Sequence, residues 1–223
     1  MNAHAFSFAG NRLHALGSGA LWWEAEALLC VSDLHLGKSE RMARRDGSML
    51  PPYETRDTLE RLQNDLDITG ARTVVCLGDS FDDLDAALAL PEDHRLHITG
   101  LQAGRQWIWI EGNHDPGPID LGGTHRAELT IDTLTFRHVA KPGSVGEVSG
   151  HYHPKVEIPT RGRLISRRAF LLDNDRLILP AYGTYTGGLR SHDAILSSLM
   201  HPQATAILTG PRLHAVPMPR RAG

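Results

Sequence analysis

Several short stretches of this chain hold groups that bind metals or move protons, at tight spacings. In 150-GHYHP-154, His151 and His153 are separated by one tyrosine. An extended backbone has a side-chain period of two, so both rings would leave one face and grip something jointly. Imidazole is the commonest metal ligand among side chains. Asp33 and His35 in 32-SDLHLG-37 repeat that spacing, Asp79 follows a glycine in 78-GDSFD-82, and Asn113, His114 and Asp115 adjoin in 112-GNHDP-116. Each has a plainer reading when taken singly: exposed loop histidines, a chance Asp-x-His, an aspartate that only caps a turn. In this order along one chain they do not read as coincidence.

The elements that must position these groups follow an α/β pattern. Apolar runs 27-ALLCVS-32, 73-TVVCL-77 and 107-WIWIE-111 predict strands buried on both faces. Each run ends at one of the candidate stretches, the edge at which open α/β sheets bind ligands. Helical spacing of Leu59, Leu62 and Leu66 predicts a helix from residue 52 or 53 to 67, and further helical segments fall near 83–90 and 94–103. Strands separated by helices imply a parallel sheet built from crossover units. Paired strands are expected before it, over 6–8 and 13–16. From residue 127 onward the pattern turns strand-rich (ELTID, LTFRH, KVEIP, RRAFLLD, RLILPAY), which implies a second, largely antiparallel sheet. The fold class is α/β. One domain over 1–216 is expected, followed by a frayed tail over 217–223.

Composition sets the outer bounds. The chain has 223 residues, with 23 basic against 26 acidic, a net charge of −3. No global charge marks it as a nucleic-acid or membrane-surface binder. Cys30 and Cys76 lie in apolar runs and read as buried thiols, which suits a reducing cytoplasm. Neither a signal-peptide pattern nor a membrane-length apolar run is evident, so a cytoplasmic protein without a membrane partner is expected.

With His138 of LTFRH added, the ordered set Asp33-Leu34-His35, Gly78-Asp79, Gly112-Asn113-His114-Asp115, His138 and Gly150-His151-Tyr152-His153 resembles the calcineurin-like binuclear metallophosphoesterases. Their motifs read D-x-H, G-D, G-N-H-[D/E], a lone His and G-H-x-H. The stretches HLGKS, LPPYET, LGDSF, SGHYHPK and AYGTYTGGL further resemble the DNA ligase-associated branch of that family. The chain departs from the branch at Asp82, where relatives often place a histidine after GDSF.

The resemblance implies a two-sheet sandwich flanked by helices, in an α/β/β/α order. It also implies two divalent transition metals, manganese first, with iron or zinc as alternatives. Asp33, His35, Asp79 and His153 would hold one metal, and Asp79, Asn113, His138 and His151 the other. Oxygen and imidazole donors without thiolate suit an open catalytic site rather than a structural zinc. A hydroxide bridging the metals would attack phosphorus in line. His114 matches the position that stabilises the transition state or protonates the leaving oxygen, and Asp115 would orient it.

The substrate implied is DNA, as single strands or ends, cleaved by an endonuclease in a repair context, with a DNA ligase and other repair proteins as partners. Basic residues flank the motifs: Lys38, Arg41, Arg44 and Arg45 after the first, Arg161, Arg163, Arg167 and Arg168 after the last. They would line a phosphate-binding groove, and Tyr152, Tyr182 and Tyr185 offer faces for bases. Two other readings stand beside this one. One is a small-molecule phosphodiesterase or nucleotide pyrophosphatase; the other is a non-catalytic DNA-binding accessory subunit.

Overall fold

The structure, a computed structural model, describes residues 2–47, 50–117, 120–160 and 162–220. In chain order, β1 (Ala3–Phe8) and β2 (Asn11–Leu16) form a hairpin, followed by β3 (Leu21–Trp23) and β4 (Leu28–Val31). Helices α1 (Lys38–Asp46) and α2 (Glu54–Thr69) lead to β5 (Thr73–Leu77). Helices α3 (Leu84–Leu88) and α4 (Glu92–Gln102) lead to β6 (Gln106–Ile110), and β7 (Thr124–Arg126) ends the first sheet. The second part runs β8 (Glu128–Ile131), β9 (Leu134–Arg137), β10 (Glu147–Ser149), β11 (Lys155–Thr160), β12 (Arg163–Leu172) and β13 (Arg176–Ile178). It closes with α5 (Ala194–Leu199), β14 (Thr205–Leu208) and β15 (His214–Pro217).

The first sheet keeps sequence order from β1 to β7. It is antiparallel as far as β4 and parallel from β4 to β7. The second sheet has the order β15-β14-β12-β13-β10-β9-β8, with β11 paired to the outer part of β12. It is mostly antiparallel, but β10 runs parallel to both β9 and β13. The polar stretch around Glu147 gave no strand signal in the sequence. Its β10 is wholly buried nonetheless, because Arg137 and Arg176 answer the Glu147 carboxylate.

Strand periodicity divides the core into layers. Leu29, Val31, Val74, Cys76, Trp107 and Trp109 face α2 and α4, packing on Leu59, Leu62, Leu66, Ile98 and Leu101. Their neighbours Leu28, Cys30, Val75, Leu77, Ile108 and Ile110 point the other way, onto Phe136, Val148, Phe170 and Leu177 of the second sheet. The far face of that sheet covers Leu196 and Met200 around α5. Helix, sheet, sheet and helix layers therefore stack as expected. Each fully buried aliphatic side chain contributes roughly 1.5–3 kcal/mol. Helix α2 stops at Gly70, whose φ of 64° lets its N–H return to the Leu66 carbonyl.

The C-terminal expectation needs correction. Pro217 belongs to β15, Met218 is buried, and Arg220 donates to the carbonyls of Ser197, Met200 and His201. The chain is thus seated through residue 220, because β14 presents an edge for it; residues 221–223 lie outside the described residues. Among the described residues no helix is long and apolar enough to cross a membrane. Cys30 and Cys76 are free and buried.

Candidate metal centre

Asp33 and His35 follow β4, Asp79 follows β5, and Asn113 to Asp115 follow β6, so three parallel strands deliver them to one edge. From the second sheet His138 follows β9, and His151 and His153 follow β10. Because β9 and β10 run parallel, these groups emerge at the same end, where Gly150 N–H donates to the His138 carbonyl at 3.0 Å.

The backbone there is not extended. Asp33, His35, Asp79, His151 and His153 all have positive φ, between 45° and 70°. Only three other non-glycine residues share this among those described, so the left-handed conformation is concentrated at the site. It costs of order 1–3 kcal/mol per residue and persists where surrounding structure enforces it. This corrects the reading that a strand-like period puts each pair on a common face. Turns rather than a strand period aim these side chains: Asp33 and His35 join one cluster, whereas His151 and His153 go to different ones. Gly78 permits the close approach: a Cβ there would lie 2.4 Å from His138 Nδ1.

One cluster is Asp33, His35 and His153; the other is Asp79, His138 and His151. In the first, His153 Nε2 lies 3.1 Å from Asp33 Oδ1 and 3.4 Å from His35 Nε2. In the second, His138 Nε2 lies 3.3 Å from Asp79 Oδ2, 3.2 Å from His151 Nδ1 and 3.0 Å from Asn113 Oδ1. Asp79 Oδ2 is also 4.0 Å from His35 Nε2, which makes this oxygen the link between the clusters.

Hydrogen bonds leave one atom facing inward on four of these side chains, Asp33, Asp79, His35 and His138. Asp33 Oδ2 accepts from Ser32 Oγ at 2.5 Å and from His151 N–H at 3.0 Å. Its Oδ1 is buried and, among the described residues, makes no well-aligned hydrogen bond, with the His153 and His138 imidazoles beside it. Asp79 Oδ1 accepts His114 N–H at 2.9 Å, which frees Oδ2. His138 donates Nδ1–H to the Leu77 carbonyl at 3.0 Å, and His35 donates Nδ1–H to Asp82 at 2.8 Å, so both present Nε2. An orphaned carboxylate oxygen among imidazole nitrogens fits a divalent cation. A further grouping of His35, Asp82 and His114 is tied up in these same hydrogen bonds.

Charge coupling follows the geometry. Burial opposes charge on His138, but Asp79 and Asp33 outweigh it and lift its pKa to about 9. Burial likewise opposes the Asp79 and Asp33 carboxylates, yet His138 beside the first and His153 beside the second hold both below the ordinary range. The negative field that draws a proton onto His138 also favours a cation. Burial lowers the pKa of His151, with His138 adding to the shift.

His114 stands at the rim, its side chain 39% exposed and Nε2 4.0 Å from Asp79 Oδ2. Its Nδ1–H is held by the Asp82 carbonyl at 2.8 Å. The expectation that Asp115 orients His114 is therefore corrected. Asp115 lies beneath the loops and accepts the N–H groups of Asp79, Ser80, Phe81 and Gly112 at 2.8–3.2 Å. Burial, with Asp79 nearby, raises its pKa to about 6.

Asp82, read in the sequence only as a departure, is a central support. It is fully buried and receives His35, Arg41 and, at 3.7 Å, Lys38 Nζ. Burial works against its ionisation, but His35 and Arg41 hold its pKa at about 2. The signal for it was a second carboxylate three residues beyond a candidate ligand, in the same loop.

The basic flanks do not form two open stripes. Arg41 is spent on Asp82, Arg44 on Asp83, Asp85 and Glu40, and Arg45 on Asp83. Arg168 turns inward and donates to the carbonyls of Tyr182, Gly183 and Thr184. Burial first, then Arg61, lowers its pKa to about 10. Arg163 and Arg167 are exposed on β12, and Arg161 lies outside the described residues. Tyr182 is buried with its hydroxyl on Asp65, and Tyr152 packs edge-on against His151.

The sequence profile of the calcineurin-like phosphoesterases matches residues 27–199. Among solved structures, the chain is similar to the crystal structure of Pseudomonas putida nuclease MPE. The TM-score is 0.76 at 25% identity, over 96% of this chain and 100% of that one. No curated protein matches.

Proposed function

Since the chain belongs to the calcineurin-like phosphoesterase family, a family of binuclear metal-dependent enzymes, we propose that it hydrolyses DNA phosphodiesters. Single strands or ends are the proposed substrate, cleavage is endonucleolytic, and the setting is cytoplasmic DNA repair alongside a ligase, as in the ligase-associated branch. The observation that carries this reading is Asp79 Oδ2, placed between two ligand clusters on a scaffold similar over 96% of its length to a protein described as a nuclease.

Asp33, His35, Asp79 and His153 would hold one divalent ion; Asp79, Asn113, His138 and His151 would hold the other. Manganese is the ion proposed because the family resemblance implies it; oxygen and imidazole donors suit iron or zinc as well. When bound, two such ions supply charge that polarises the phosphodiester and acidifies the attacking water. The chain's own contributions are then distinct. Asp33 and Asp79 are the ligands of formal charge, so two divalent ions leave the centre net positive, as a phosphate requires. Asn113 adds an oxygen without cancelling that charge. His114, held by Nδ1, offers Nε2–H to the leaving oxygen and to charge developing on the phosphate.

For backbone contacts the exposed Arg163 and Arg167 are retained, with Lys38 close to the centre behind Asp82. The test is hydrolysis of a single-stranded oligonucleotide and of bis(p-nitrophenyl) phosphate, with manganese and with chelator. Metal-dependent cleavage of both is expected. Turnover of the small diester alone would favour the small-molecule reading, and turnover of neither would favour the accessory-subunit reading.

A further inference from the structure

The segment 183-GTYTGG-188 was singled out in the sequence but takes no part in metal binding, and the structure ties it to the centre at both ends. Gly183 N–H donates to the Asp33 carbonyl at 3.1 Å, and its backbone is so close that a Cβ would lie 2.1 Å from the Leu34 carbonyl oxygen. At the other end, a Cβ on Gly188 would lie 2.0 Å from the carbonyl oxygen of His153. Both contacts are with the backbone of ligand loops, so the segment spans the edge of the site. Tyr185 is two peptide steps from Gly183, a reach of roughly 7 Å.

Tyr185 does not stand alone. Its ring meets Tyr53 edge-on, with centroids 5.5 Å apart, and its hydroxyl donates to the Pro51 carbonyl at 3.2 Å. Tyr53 is 46% exposed, far more than a packed aromatic, and Tyr185 is partly exposed. The segment beneath is held rigidly. Arg168 reaches two of its carbonyls, Gly183 and Thr184, that of the preceding Tyr182, and Thr186 Oγ1, while Arg61 donates to the Tyr182 carbonyl at 2.6 Å and to Thr184 Oγ1 at 2.8 Å. Half-buried guanidinium groups spent on backbone carbonyls fix the position of what that backbone carries.

We propose that Tyr53 and Tyr185 form a stacking platform for a nucleobase next to the phosphodiester held at the metal centre. The proposal rests on the DNA reading above and specifies how a single strand is seated. Aromatic faces take any base, so the platform adds affinity without sequence preference and favours bases that are already unpaired. It also gives Arg168 and Arg61 a purpose, since they preorganise the platform.

The test uses the full chain with calcium in place of manganese to suppress turnover, and single strands carrying 2-aminopurine at successive positions. For wild type, fluorescence is quenched at one or two adjacent positions, as stacking requires. Tyr185→Ala and Tyr53→Ala relieve the quenching and weaken binding by roughly 5- to 100-fold. Tyr185→Phe and Tyr53→Trp retain both, which separates loss of stacking from loss of folding. Replacing the quenched nucleotide by an abasic site erases the difference between wild type and the alanine variants. A dinucleotide binding as tightly as the oligonucleotide would place the base in a small-molecule ligand and overturn the single-strand form of the proposal. Wild-type binding and cleavage of DNA with no quenching, or with alanine variants of unchanged affinity, would overturn the platform and leave the DNA reading standing. Failure of wild type to bind or cleave any DNA would instead overturn the DNA reading itself.

Discussion

The Asp82 carboxylate accepts the Nδ1–H of His35 at 2.8 Å from a position with no solvent exposure. That bond fixes the tautomer of His35 and aims Nε2 at Asp79 and His153. The carboxylate stays ionised because Arg41 and Lys38 also face it. Asp82→Asn keeps an acceptor for His35 but removes the charge. Metal affinity of the His35 cluster should fall about 10- to 100-fold, the usual effect of altering a ligand's outer partner. Calorimetric manganese titration checks this; unchanged affinity would return Asp82 to a purely structural role.

Asp79 is shared between the clusters, so Asp79→Ala should disturb both. Elemental analysis of metal-loaded protein should drop well below two ions per chain, and turnover should vanish. Two fully occupied sites in that variant would refute the ligand assignment.

The proposed mechanism makes His114 a proton donor, not a ligand. His114→Ala should therefore keep both ions and lose turnover by about 10²–10⁴-fold. The loss should be larger for an alkoxide leaving group than for p-nitrophenolate, which departs without a proton. Metal loss would move His114 into the coordination shell, and equal losses would assign it charge stabilisation alone.

Arg167 and Arg168 are neighbours in sequence with opposite surroundings. Arg168→Ala strands several buried carbonyls and should destabilise the fold by about 1–3 kcal/mol in urea unfolding. Arg167→Ala, at an exposed position, should change stability by less than about 0.5 kcal/mol. If Arg167 contacts a DNA phosphate, its loss should shallow the salt dependence of single-strand binding by about 0.7 in log–log slope. An unchanged slope would remove Arg167 from the DNA interface.

These contrasts mark how far the sequence could be read. The parallel strands ending at Asp33, Asp79 and Asn113 were legible because buried runs and ligand motifs adjoin in the chain. The two clusters followed from the family resemblance, and their members converge in the structure. What stayed hidden depends on partners remote in sequence. Arg168 reads as a surface cation until the 182–184 carbonyls fold against it, and Arg41 until Asp82 arrives from a different loop. Helix α1 escaped notice because its residues are mostly polar, and β10 because Glu147 is neutralised only by distant arginines. The left-handed turns at His151 and His153 were also out of reach, since the same spacing fits a strand.

The central claim is that one centre, joined through Asp79, cleaves DNA. Its most direct test is incubation of circular and linear single-stranded DNA with the full chain and manganese, alongside chelated enzyme and the Asp79→Ala variant. The account predicts that wild type linearises and then degrades the circle, while chelation or loss of Asp79 leaves both substrates intact. Circle and linear strand both surviving while bis(p-nitrophenyl) phosphate is hydrolysed, or cleavage by Asp79→Ala at the wild-type rate, would contradict it.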